Sequence, residues 1–184
     1  MRRLVLLPLL WCVSGGVQAA PAPDDAVGRV LAALGVGSLG ASLASLVIDT
    51  TPALKALAPA DQACAKGPVR DVLDAGFRRS IIQDLGGDGD AVIAEWARFL
   101  PTPAGMALSR TFADSTPDNT EARAAAGLSD ADRAKLAAFI DGAAYRRMMA
   151  SFKSASGPPD DLGAQLARPL RDQCRIVLEP GQIS

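Results

Sequence analysis

The segment AVIAEWARFLPTPAGMALSRTFAD, residues 91–114, illustrates how the whole chain is built. Pro101-Thr102-Pro103 separates two runs rich in Ala, Leu and Met, which are good helix formers. Thr102 is a favourable N-cap, and Pro103 suits the first turn of a helix because its missing N–H has no intrahelical partner there. We therefore predict one helix over 91–100 and a second from 103 to about 114.

A similar pattern occurs 40 residues later in the chain. Each copy contains a pair of Phe residues 13 positions apart, which a straight helix would place on nearly opposite faces. Each copy therefore needs a bend to turn both rings inward, at the prolines in the first copy and at Gly142 in the second. We predict an internal repeat with units around 91–114 and 130–153. The alternative is a chance similarity between two Ala-rich helices. The Phe pairs that define the two copies are Phe99 with Phe112 and Phe139 with Phe152.

Gly and Pro divide the rest of the chain into further helical segments. We expect a short helix containing Cys64 to stop at Gly67 and a new one to begin at Pro68. Ser129 resembles the start of a capping box, from which we expect a helix through about Lys153. The last segment has apolar residues at i, i+4 spacing, which is typical of a buried helix face: Leu162, Leu166, Leu170 and Cys174.

Composition supports the same fold class. Aromatic residues make up only 4% of the chain, and β-branched residues seldom occur in runs, so helix is favoured over sheet. We predict a single all-α domain over residues 20–184, a bundle of about seven or eight helices. A chain of this length can bury a core of its own.

The motif Phe99-Leu100-Pro101-Thr102-Pro103-Ala104-Gly105 resembles the F-x-x-[ST]-P-x-G signature of a family of exported bacterial helical proteins, which is catalogued only as a domain of unknown function. The segment from Leu128 to Phe139 is similar to a helix start in the same family. The resemblance covers roughly residues 69–152. It implies an α-helical protein of the cell envelope without an established activity.

Residues 1–19 have the three-part layout of a secretory signal peptide. Met1-Arg2-Arg3 is basic, Leu4 to Val13 is apolar, and Val17-Gln18-Ala19 is a small-residue cleavage site. We therefore expect the mature chain to begin at Ala20 and to be periplasmic or secreted.

Cysteine usage agrees with an oxidising compartment. Cys12 lies inside the signal peptide, and the bulky Trp11 before it argues against lipid attachment. Cys64 and Cys174 then remain, and a pair of this kind predicts one disulfide, with two buried free thiols as the alternative.

Other features of the composition exclude several functional classes. The chain has no histidine, so we predict neither a Ser-His-Asp nor a Cys-His catalytic site, and no imidazole ligand for a metal. The formal net charge is −1, which is unlike a nucleic-acid-binding protein. We therefore favour a non-catalytic protein over an enzyme, and we predict no catalytic residue, no cofactor and no metal ligand.

Two short patterns have alternative interpretations. Gly35 to Gly40 matches G-x-G-x-x-G, but a dinucleotide site needs a preceding strand, and residues 29–34 favour a helix. We expect these glycines to break two helices or to allow close packing. Residues 30–48, Val30 to Ile48, carry no charge and are long enough to cross a bilayer. Three glycines and three serines dilute this stretch, so we favour a buried helical hairpin over membrane contact.

Acidic and basic residues provide the remaining candidates. Asp84, Asp88 and Glu95 fall at positions 1, 5 and 12 of a calcium loop, but a plain Gly-Asp turn with an N-cap explains them more simply. With Asp90 they form the dense acidic cluster that a carboxylate-dependent enzyme would use. The pairs Arg78-Arg79 and Arg146-Arg147 favour solvated helix faces.

Taken together, these observations favour a non-catalytic envelope protein that binds a partner protein or a small apolar ligand, for example in a groove between the repeated units. The alternatives are a carboxylate-dependent, calcium-binding periplasmic enzyme and a membrane-associated protein that uses residues 30–48. Ligand, partner, biological process and oligomeric state are not specified by the sequence.

Overall fold

Helices form all the regular secondary structure in the part of the chain that the computed structural model describes, namely residues 24–114, 120–155, 159 and 161–183. The predicted signal peptide (1–19), the polar link 115–119 and most of the break at 157–160 lie outside these ranges. The α-helices are α1 Asp24–Ala33, α2 Val36–Thr50, α3 Pro52–Lys55, α4 Pro59–Leu85, α5 Gly89–Phe99, α6 Pro103–Ala113, α7 Thr120–Ala125, α8 Asp130–Ile140, α9 Ala143–Ser154 and α10 Leu162–Cys174. Short 3₁₀ turns cover Gly86–Asp88 and Pro180–Gln182. The predicted all-α fold is confirmed for the described residues.

The turn between α5 and α6 forms as the sequence predicts. Thr102 is the N-cap of α6: its Oγ1 accepts a hydrogen bond from the Gly105 amide at 3.0 Å and donates one to the Phe99 carbonyl oxygen at 2.8 Å. A Cβ on Gly105 would lie 2.1 Å from that same oxygen, so a larger residue cannot fit without a shift. The fixed positions of the signature, Phe99, Thr102, Pro103 and Gly105, thus all belong to one tight turn.

The region from Ser129 to Lys153 forms two helices, and the prediction of one helix here was wrong. Gly142 is extended between α8 and α9, with φ −72° and ψ 156°. This break lets Leu136 on α8 and Met148 on α9 both face the core, where each is almost fully buried. The cap at Ser129 is confirmed, since its Oγ accepts a hydrogen bond from the Asp132 amide at 3.2 Å.

The predicted break at Gly67 is absent, because α4 continues through Gly67 and Pro68. A proline inside a helix lacks the amide that would bond the carbonyl four residues earlier, and typically costs about 3 kcal/mol. Tertiary packing offsets this cost: Ala65 and Val69, on either side of the proline, are completely buried. Helix α4 therefore runs unbroken along the molecule and contributes to two separate hydrophobic clusters.

The first of these, the aromatic cluster, is built from α1, the C-terminal half of α4 and helices α5 to α9. Trp96 belongs to it and is fully buried. Both Phe pairs of the predicted repeat also lie in or pack against this cluster. Its largest buried members are Val27, Val30, Leu34, Ile81, Leu85, Trp96, Leu108 and Met148.

The second, the aliphatic cluster, joins α2, α3, the N-terminal half of α4, α10 and the C-terminal segment. The predicted disulfide is present beside it and links Cys64 on α4 to Cys174 at the end of α10, with the two Cα atoms 5.8 Å apart. The i, i+4 stripe predicted for the last helix is buried here. Members of the cluster are Ala44, Ile48, Leu54, Ala65, Val69, Leu73, Leu162, Leu166, Leu170, Ile176 and Ile183.

Residues 30–48 form parts of two helices rather than one membrane span. Gly35 has φ 75° and separates α1 from α2, and a Cβ there would lie 2.9 Å from Ala113. The side chains of Val30, Leu34 and Ile48 are buried in the two clusters and face protein. Among the described residues, no helix is both long and apolar enough to cross a membrane. Of the glycines in the G-x-G-x-x-G match, Gly35 thus separates two helices and Gly40 allows close packing against Asp74, as expected, whereas Gly37 lies inside α2 with open space beside it.

Candidate functional site

Helices α5 and α9 lie side by side in antiparallel orientation. Near the C-terminal end of α5, the Trp96 indole Nε1 donates a hydrogen bond to the Ala144 carbonyl oxygen, at the start of α9, at 3.1 Å. At the end of α4, just before α5, the Asp84 carboxylate accepts a hydrogen bond from Ser151, near the end of α9. The first link joins α5 to α9, the second joins α4 to α9, and a groove runs between α5 and α9.

Stacked aromatic rings support the groove from beneath. The Trp96 ring lies edge-on to Phe139, with centroids 4.9 Å apart, and stacks on Tyr145 at 5.8 Å. Phe99 stacks face to face on Phe139 at 3.7 Å. Burial raises the pKa of the half-buried Tyr145 hydroxyl, and the nearby Glu121 carboxylate raises it further. The Tyr145 ring therefore remains neutral at physiological pH and acts as part of the packing.

The groove has a volume of about 530 Å³ and is open to solvent. Its floor consists of small apolar side chains, among them the exposed Ala91, Ala143 and Ala150. Its two sides carry opposite charges, because Asp88 and Glu95 come from the α5 side whereas Arg146 and Arg147 come from α9. The residues that line it are Asp88, Ala91, Val92, Glu95, Ala143, Ala144, Arg146, Arg147 and Ala150.

Arg147 connects the groove to α4. Its guanidinium donates hydrogen bonds to the Asp84 carbonyl oxygen and forms an ion pair with the Asp84 carboxylate at 3.3 Å. Both side chains remain partly exposed, so this pair contributes little stability by itself. It does orient the arginine, and the interpretation of Arg146-Arg147 as a solvated pair is therefore wrong for Arg147. Arg146, by contrast, is exposed.

The structure divides the predicted acidic cluster and corrects the calcium hypothesis. Asp84 faces α9, where its carboxylate forms an ion pair with Arg147 and accepts a hydrogen bond from Ser151. Asp88 and Glu95 instead line the groove. Asp90 lies in the first turn of α5 and is not a lining residue. Within the described ranges, no group of three or more His, Cys, Asp or Glu side chains is placed to hold a metal ion. The segment forms a 3₁₀ turn followed by a helix, as a Gly-Asp turn would.

Ser109 and Arg78 contact helix α1 rather than the groove. The Ser109 hydroxyl donates a hydrogen bond to the Ala33 carbonyl oxygen at the end of α1. Arg78 packs over Gly28, where a Cβ would lie 3.5 Å from its guanidinium carbon. Neither residue lines the groove.

The groove between helices of the two predicted repeat units was anticipated, but its lining residues were not. The available signal was the set of alanines at helical spacing on α9, Ala143 and Ala150, next to an arginine pair. Such a pattern also occurs on ordinary solvated helices, so sequence alone could not single it out.

No family model, curated protein or solved structure matches this chain. The resemblance of Phe99 to Gly105 to an exported helical family therefore stays a prediction.

Proposed function

We propose that this chain is an exported, non-catalytic binding protein of the bacterial cell envelope, and that the groove between α5 and α9 is its binding site. The observation that carries the proposal is the groove itself, with its small apolar floor and its oppositely charged sides. Concave sites with apolar walls and a few convergent polar groups are typical of binding sites. The disulfide supports a location in an oxidising compartment, periplasmic or extracellular.

Local geometry supports an internal duplication as the origin of the groove. Helices α6 and α9 begin 40 residues apart, at Pro103 and Ala143. The first helix of each predicted unit packs against the second helix of the other unit: α5 packs on α9, and α8 packs on α6. We infer that the binding groove lies between one helix from each copy.

The arrangement favours binding over carboxylate chemistry. Asp88 and Glu95 are seven residues apart, or about 10 Å along a helix axis. Carboxylates that share catalysis in glycoside hydrolases are about 5 to 9.5 Å apart. The two groove carboxylates come from positions about two helical turns apart, a spacing that suits contacts to two points of one bound molecule.

The test compares two tryptophan substitutions on the same helix. Ala91→Trp would fill the groove, whereas Ala97→Trp adds the same side chain at an exposed position outside the lining. Each full-length protein is isolated from its own bacterium after mild cross-linking, and bound molecules are identified by mass spectrometry. We expect Ala97→Trp to retain the wild-type ligand or partner and Ala91→Trp to retain about tenfold less.

Circular dichroism melting of both variants verifies that they fold. Equal retention by the two tryptophan variants would refute the groove as the binding site. The same isolation also tests export, because the mature chain should begin at Ala20.

A further inference from the structure

The shape of the groove fits a helix. Its lining spans eight residues on each side, Asp88 to Glu95 on one and Ala143 to Ala150 on the other. The seven steps from the first to the last of these residues rise about 10 Å, or two helical turns. Two turns of a third helix would therefore cover the groove along its length.

The groove floor also favours a helix. Ala91, Ala143 and Ala150 are exposed and present only methyl groups. Small side chains at a contact let helix axes approach to about 8 Å, which is the short end of the usual range. A third helix resting on these alanines would therefore pack closely against both α5 and α9.

The charges on the two walls distinguish between the kinds of occupant. A small apolar molecule would cover the Asp88 and Glu95 carboxylates without pairing their charges, and burying unpaired charges is costly. A helix carries separate residues along its two edges and can match both walls at once. Residues seven positions apart lie on nearly the same side of a helix, so two basic residues at this spacing would reach Asp88 and Glu95.

We propose that the groove binds an α-helix of another protein, with a small or apolar ridge, Lys or Arg at i and i+7 along one edge, and Asp or Glu along the opposite edge. This inference rests on the proposed function and specifies its partner. The basic edge lies against Asp88 and Glu95, and the acidic edge lies against Arg146. Complementary charges of this kind determine partner choice and association rate more than total affinity.

Three synthetic helical peptides of about 18 residues test the proposal, all with the same Ala/Leu ridge. The first has Lys on one edge and Glu on the other, the second has Gln on both edges, and the third has Glu on both edges. Binding to the full chain is measured by fluorescence anisotropy of labelled peptide. We expect the Lys/Glu peptide to bind about tenfold more tightly than either of the others, and Ala91→Trp to abolish its binding.

Reversing the groove charges in the protein tests whether they determine which peptide binds. Asp88→Lys with Glu95→Lys should reverse the preference, so that the Glu/Glu peptide binds best. Asp49→Lys with Asp61→Lys changes the net charge equally, at exposed positions outside the groove lining, and should keep the wild-type preference.

Three outcomes would overturn the inference: equal binding of all three peptides, a groove-dependent homodimer detected by size exclusion, or a small apolar molecule lost from Ala91→Trp in the native isolation. The last of these would leave the proposed binding function intact. Equal retention by Ala91→Trp and Ala97→Trp would instead remove the groove as a site, so the two failures can be distinguished.

Discussion

The aromatic and aliphatic clusters are similar in helix content but differ in how they are stabilised. Every described aromatic side chain lies in or packs against the aromatic cluster, where large rings bury much area for each residue that is ordered. The aliphatic cluster contains none of these rings and is instead closed by the Cys64–Cys174 disulfide. The comparison indicates that a cross-link substitutes for aromatic packing in one half of the molecule, whereas α4 contributes residues to both clusters.

The largest expected effect comes from removing the disulfide. Its two cysteines are 110 positions apart, and closing a loop of this size is worth about 4 to 5 kcal/mol by the chain-entropy model. Cys64→Ala with Cys174→Ala should therefore lower the free energy of unfolding by about that amount. Hydrogen exchange should rise first in residues 162–183 and 59–73, and less in 89–113 and 130–154.

Cys64 is exposed, so dithiothreitol should produce the same pattern in the wild-type protein and no further change in the double variant. Uniform loss of protection across both regions would show that the clusters unfold as one unit, and would contradict the comparison.

The reciprocal change is Trp96→Ala in the aromatic cluster. Trp96 is fully buried and its indole donates a hydrogen bond to the Ala144 carbonyl oxygen. Truncations of buried Trp cost about 3 to 5 kcal/mol, and here the loss should appear first in residues 89–113 and 130–154. Trp96→Phe keeps a ring but loses the hydrogen bond, so it should cost clearly less. Equal costs for both variants in chemical denaturation would mean that ring packing is not what holds this cluster.

The two regions also differ in how well their structure could be predicted from sequence. The turn at Thr102 and Pro103 was predictable, because a cap and a proline act through local chemistry. The disulfide followed from the two cysteines that lie outside the predicted signal peptide. The continuity of α4 through Pro68 could not be predicted, because it depends on the burial of Ala65 and Val69 by distant helices.

The candidate site was less predictable than the fold. A groove between the repeat units was expected, but the role of Arg147 depends on Asp84, 63 positions earlier in the chain. The break before Ala143 was placed only as a bend, because glycine is tolerated inside helices and does not by itself define an end.

One substitution made in both clusters tests how closely each is packed. A Cβ on Gly163 of α10 would lie 2.2 Å from the Pro180 carbonyl oxygen, and a Cβ on Gly105 of α6 would lie 2.1 Å from that of Phe99. We expect Gly163→Ala and Gly105→Ala each to cost about 1 to 3 kcal/mol, because backbone must shift in both cases. In Gly67→Ala of α4 the added methyl meets nothing within 4 Å, so this control should be neutral or stabilising by up to about 1 kcal/mol. A destabilised Gly67→Ala variant in thermal unfolding would invalidate the steric argument.

The smallest expected effect concerns Asp74, where α4 packs against α2 beside the aliphatic cluster. Its carboxylate occupies the space that a side chain at Gly40 would need, since a Cβ there would lie 2.0 Å from Asp74 Oδ1. Burial raises the pKa of Asp74, and the neighbouring Asp71 adds to this, while Arg70 and Arg78 oppose it. A carboxyl group whose pKa is raised on folding stabilises the folded state when it is protonated, that is, below its unfolded pKa of about 3.8. This stabilisation is lost as the pH rises through the pKa of the folded state. Asp74→Asn stays neutral throughout, so it should be more stable than wild type at pH 7 and equally stable at pH 3.

Water still reaches the Asp74 carboxylate, so the difference at pH 7 should stay below about 1 kcal/mol. Asp71→Asn, which removes an exposed ion pair with Arg70, should instead leave stability unchanged or slightly lower. Urea denaturation of the three proteins at both pH values measures the difference. A wild-type protein more stable than Asp74→Asn at pH 7 would mean that Arg70 and Arg78 outweigh desolvation, and that charge pairing contributes to the α2–α4 contact after all.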